Sequence, residues 1–229
     1  MSKNKDEILL FKRKISAKSP YLQYEQALRI ALFAHYQNYE KFKAANTLFD
    51  NFPIFSEALH VQLDAIGALG ILFEKYNVPF VKNNCKSYAK LSDNITQICE
   101  ICIADELKMI LVYDELLDFC SDKEDIEDTF YRLQALSCNE LLPNFRTFVY
   151  KDMKNHQSND NTFSQNQLLE KFNEFGTLAN NISNGNIDSQ KINSILGSLN
   201  LSMLSGAVLG ALGTVFTKEM GKEDTEEKT

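Results

Sequence analysis

Glu57 and His60 stand three residues apart in the run Ile54-Phe55-Ser56-Glu57-Ala58-Leu59-His60-Val61. On a helix that spacing puts a carboxylate and an imidazole on one face, within reach of one ion. Their neighbours are apolar, so the face is expected to be buried, and neither group is buried cheaply without a partner. A metal would satisfy both, and so would a hydrogen bond between the two. Three more acids fall on the apolar stripes of other predicted helices. Glu25 lies between Tyr21 and Leu28, Glu106 interrupts the stripe Cys102, Met109 and Tyr113, and Glu140 follows Leu133 by seven residues. Such inward acids can converge on a metal, or pair with Lys or with Tyr such as Tyr36 or Tyr113. His35 reads as an ordinary helix-face histidine, and His156, in a polar segment, carries no signal.

Four long helices must position these residues. Helix A is expected from Ser19-Pro20, a capping serine followed by a first-turn proline, to about residue 42. Helix B carries Glu57 and His60 and ends near residue 76; Pro53 and Asn46-Thr47 are equally good starts. With the turn near 43–46, Glu25 and Glu57 differ in height by roughly 10 Å, within reach if the helices tilt; with a start at Pro53 the mismatch grows and Glu25 drops out. Residues 77–91 contain Pro79, Asn83 and Asn84 and lack helical periodicity. They are long enough to cross the length of a bundle. Helix C spans about 92–120. Helix D opens at the capping box Ser121-x-x-Glu124 and runs to about 150, with a kink expected at Pro143. Long helices joined short, long, short predict an all-α four-helix bundle with one long crossover.

Residues 1–18 read as an N-terminal extension, 19–150 as the bundle, 151–163 as a polar linker, 164–220 as a helical appendage and 221–229 as an acidic, disordered tail. At 229 residues, 44% of them apolar, the chain can bury a sizeable core, and only 9 Gly and 4 Pro disfavour a turn-rich β fold. A net charge of −7 argues against nucleic-acid binding. The first residues lack the apolar core of a signal peptide. Five cysteines, an odd number scattered through helices, point to reduced thiols and a cytoplasmic setting. Cys99-x-x-Cys102 could be a redox pair but reads better as two small core residues.

With Glu on helix A, Glu-x-x-His on helix B and Glu on each of C and D, residues 20–150 resemble the ferritin-like superfamily of di-iron carboxylate proteins. Tyr39-Glu40-Lys41-Phe42 and Ser56-Glu57-Ala58-Leu59-His60 are similar to an uncharacterised bacterial ferritin-like family. The run Ser137-Cys138-Asn139-Glu140 lacks the second Glu-x-x-His of rubrerythrin-like sites, and so stands nearer the ferritin pattern. The resemblance implies Glu25 and His60 on one iron, Glu106 and Glu140 on the other, and Glu57 bridging. It implies two irons per chain (manganese or no metal being the alternatives) and oxidation of Fe(II) by O2 or peroxide. Hard oxygen ligands suit Fe(III), and a single imidazole leaves coordination positions open.

Leu199 to Thr217 carries no charge and includes Gly206-x-x-x-Gly210, a spacing that lets helices approach closely. This segment is expected to pack on the bundle or on a second subunit, to associate with a membrane, or to dock into an assembly. A homodimer or larger homo-oligomer is expected. The alternative function is a non-catalytic helical-bundle interaction protein whose Gly-rich C-terminal helix recruits a partner or a membrane.

Overall fold

The structure, a computed structural model, describes residues 9–85 and 91–156, together with residues 190, 192 and 194. Every regular element among them is helical: α1 (Gln23–Leu48), α2 (Pro53–Lys75), α3 (Ile95–Leu117), α4 (Glu124–Leu136), a single π-helical turn (Ser137–Leu141) and α5 (Leu142–His156). The chain is all-α over this span. The boundaries follow local chemistry. Pro53 takes the first position of α2, where a missing N–H costs nothing. Asp50 and Asn51, both at positive φ, make the preceding turn, and Ser56 Oγ donates to Asn46 Oδ1 across it (2.7 Å). Asn94 caps α3 by accepting from the Gln97 N–H.

α1 packs along α2, and α3 along α5; α1 also meets α3, and α2 meets α4. Two apolar clusters form the core. One joins Leu28, Leu32, Leu69, Tyr113 and Phe130. The other joins Phe42, Phe55, Leu107, Leu141, Phe145 and Ile192. α1 is buried without a break from Gln26 to His35, because two further segments cover its outer side. Leu10 of the N-terminal strap packs there, and the Arg29 guanidinium donates to the Pro79 carbonyl (2.5 Å).

The kink expected at Pro143 is taken up earlier, by the π-turn. Proline cannot donate to the carbonyl four residues back, and the Leu142 N–H instead reaches Ser137 O, five residues back. The wider turn adds one residue to the helical repeat and shifts the phase of everything after it. The buried stripe therefore runs Leu133, Ser137, Leu141, Phe145, Val149, one residue beyond the expected Glu140 and Asn144.

The calls on residues 1–8, 157–189 and 195–229, including the Gly-rich helix and the acidic tail, lie outside the described residues. Ile192 does not: it is fully buried in the second cluster.

Candidate functional site

Only one of the five expected ligands faces inward. Glu106 is 1% exposed, at the centre of α3. Glu57 and His60 are both exposed. The buried stripe of α2 is Phe55, Ala58, Gln62, Ala65, Leu69 and Leu72, an alternation of three and four residues that turns the Glu-x-x-His pair to water. Glu140 is exposed, carried outward by the phase shift of the π-turn. Glu25 sits in the first turn of α1, where its carboxylate accepts from the Leu22 N–H (2.8 Å). With α2 beginning at Pro53, Glu25 and Glu57 are not level. Of the five expected ligands the structure thus buries one, Glu106, and directs the other four elsewhere. Among the described residues no group of three or more His, Cys, Asp or Glu side chains is placed to hold a metal ion.

What surrounds Glu106 is a closed polar centre. On α1, His35, Asn38 and Lys41 follow one another at three-residue steps and are all buried. His35 lies between two partners, with Nδ1 2.7 Å from Gln62 Oε1 and Nε2 2.5 Å from the Tyr113 hydroxyl. A single network thereby ties α1 to α2 and to α3. Burial holds the imidazole neutral, down to about 4, with Gln62 opposing and the Arg13 charge adding to the effect. Two turns along α1, Lys41 Nζ donates to Asp105 Oδ2 (2.8 Å) with only 2% of the lysine side chain exposed. Burial pushes the Asp105 carboxyl up, but Lys41 and Lys108 outweigh it and leave the group below its ordinary range.

Glu106 has no such partner. Burial raises it to about 7, against the opposing charge of Lys41 and a hydrogen bond from Ser137. Among the described residues its buried Oε1 has no hydrogen-bond partner, and neither has Asn38 Nδ2. From the strap, Arg13, held at φ 52°, sends Nη2 to Gln37 Oε1 (3.1 Å), and its charge reaches Glu106, Asp105 and His35. Ser137 belongs to the π-turn, so the geometry that turned Glu140 outward also sets the hydroxyl that meets Glu106.

This centre can hold one proton near neutrality, on Glu106. The pairs His35–Gln62, His35–Tyr113 and Lys41–Asp105 also tie α1 to α2 and to α3 at one relative alignment. Sequence reasoning missed Arg13, Asn38, Lys41, Gln62 and Asp105. Asn38 and Lys41 carried a usable signal, because they continue the inward stripe of α1 at helical spacing from His35.

All five thiols are free. Burial raises Cys102, Cys120 and Cys138 to about 12 and Cys99 further still, as suits packing residues rather than nucleophiles.

No protein-family profile, curated protein or solved structure matches this chain.

Proposed function

We propose that this chain is a non-catalytic helical interaction protein working through the outer face of α2. The observation that carries the reading is an imbalance in that helix. Pro53–Lys75 is apolar and long enough to cross a membrane by length and composition, yet only 28% of its apolar 18-residue window is buried. Leu63 is 45% and Ile71 68% exposed, on the same side as Gly67. Apolar surface left in water forgoes about 25 cal/mol per Å2, so a partner that covers Leu63 and Ile71 is favoured.

The packing of α1 on α2 and of α3 on α5, with residues 76–94 joining the pairs, supports a four-helix bundle with one long crossover as the architecture. Among the described residues di-iron chemistry would have one fully buried carboxylate, Glu106, to build on, and its acid neighbour Asp105 is already engaged by Lys41.

The test places an environment-sensitive fluorophore on Ile71→Cys, and as a control on Tyr131→Cys of α4, in a Cys85→Ser background of the full chain. In concentrated protein and in extract of the cells that express it, the probe at 71 should shift to the blue while the probe at 131 stays water-like. Water-like emission at both positions under both conditions would overturn the reading.

A further inference from the structure

We infer that the partner of α2 is a second copy of this chain, its α2 lying antiparallel across a two-fold axis at Gly67. The inference rests on the reading of α2 as an interaction surface and names its occupant. The exposed stripe of the helix is Glu57, His60, Leu63, Asp64, Gly67, Ile71 and Glu74, with Lys75 at its edge held by Asp125 (2.6 Å). Gly67 stands at its middle, and no atom of the described residues lies within 4 Å of where a Cβ would be, so a second helix can come close there.

About that point the stripe complements itself. Leu63 and Ile71 each lie four residues from Gly67, and His60 and Glu74 each lie seven from it. In an antiparallel pair centred on residue 67, the residue n positions before the centre meets the one n positions after it. Leu63 then lands on the partner's Ile71, and the His60 imidazole can donate to the carboxylate of the partner's Glu74. The two-fold makes each contact twice. The remaining acids avoid one another: Asp64 meets the partner's Gly70, and Glu57 meets the partner's Asn77. A parallel pairing would instead set Glu57, Asp64 and Glu74 each against its own copy, and like charges across an interface are repulsive. The charges of the stripe therefore select both the direction and the register.

The stripe is about 26 Å long at helical rise. One helix face of that length buries on the order of 1,000 Å2 in total, at the low end for a specific interface. The dimer is accordingly weak, with dissociation in the micromolar range.

Sedimentation equilibrium of the full chain, from about 5 to about 500 µM, tests this. The wild type should fit a monomer–dimer equilibrium. His60→Glu, which opposes two acids, and Glu74→Lys should each weaken it about tenfold or more, and the double variant His60→Glu/Glu74→Lys should restore it to within about threefold. Both positions are on the surface, and unchanged circular dichroism would confirm that the variants fold. A dimer indifferent to both charges would overturn the inference, and so would a wild type that stays monomeric throughout. If the chain is monomeric while the probe at position 71 is still covered, the interaction reading stands and self-pairing falls. Residues 199–217, another protein or a lipid surface would then be the occupant, distinguished by truncation after residue 198 and by flotation with anionic vesicles.

Discussion

Replacing Glu106 with Gln should stabilise the protein in a strictly pH-dependent way. Burial raises this carboxyl from 4.5 to about 7, so between those values the folded chain holds a proton that the unfolded chain has released. Stability then falls as pH rises through the window, and above it the folded state carries the full cost of a buried carboxylate. At 1.36 kcal/mol per unit, a shift of about 2.5 units amounts to about 3 kcal/mol. His35 works the other way. It is lowered from 6.5 to about 4, so in that range the unfolded chain binds the extra proton and stability rises with pH, by a similar amount. The two slopes largely cancel in the wild type between about pH 4.5 and 6.5, and the effect of Glu106 is visible only by difference. Urea titrations of both proteins should show Glu106→Gln gaining about 3 kcal/mol over the wild type between pH 4.5 and pH 8, whatever constant offset the amide brings. The variant alone should become steeply more stable from pH 4.5 to 6.5 as the slope of His35 is uncovered. A difference that does not change with pH, or that shrinks as pH rises, would refute a strained, proton-holding Glu106.

Lys41→Met should cost about 3 kcal/mol, because it leaves Asp105 charged and largely buried with only the longer contact to Lys108 (3.4 Å); the double variant Lys41→Met/Asp105→Leu should recover most of that in urea denaturation, and full additivity would contradict the pairing. Ile192→Ala should lower stability by about 2–4 kcal/mol, and a chain ending at residue 150 should melt less cooperatively than the full chain; unchanged melting would mean that Ile192 adds nothing to the core. Under native, non-reducing conditions the four buried thiols, Cys99, Cys102, Cys120 and Cys138, should resist a thiol reagent, and all five should react in denaturant. Rapid native labelling of Cys99 or Cys102 would reinstate a redox role for that pair.

The helical class was legible in the sequence because periodicity and scarce Gly and Pro report it directly. Glu106 was legible too, since its stripe on α3 is unambiguous and nothing shifts its phase. Glu57 and His60 were misplaced because they were read from their immediate apolar neighbours; taken with Asp64 and Glu74 they form one exposed polar stripe, opposite the buried Phe55, Ala58, Ala65, Leu69 and Leu72. The residue that does face inward there is Gln62, and its role appears only once His35 is opposite it. Glu140 was misplaced because a π-turn breaks the count at Ser137, and Pro143 hinted at an irregularity without giving its size. Lys41 and Asp105 are separated by 64 residues. Their pairing depends on how α1 meets α3, which no local pattern encodes.

Metal analysis, with Fe(II) oxidation followed on the same samples, tests most directly whether the interior holds a reactive centre. The full chain, purified without added metal and then offered Fe(II) and O2, should carry well below one metal per chain and oxidise iron no faster than buffer, with His60→Ala and Glu140→Ala indistinguishable from wild type. Two irons per chain, lost together with oxidation when either residue is replaced, would contradict the interaction reading and restore the di-iron one.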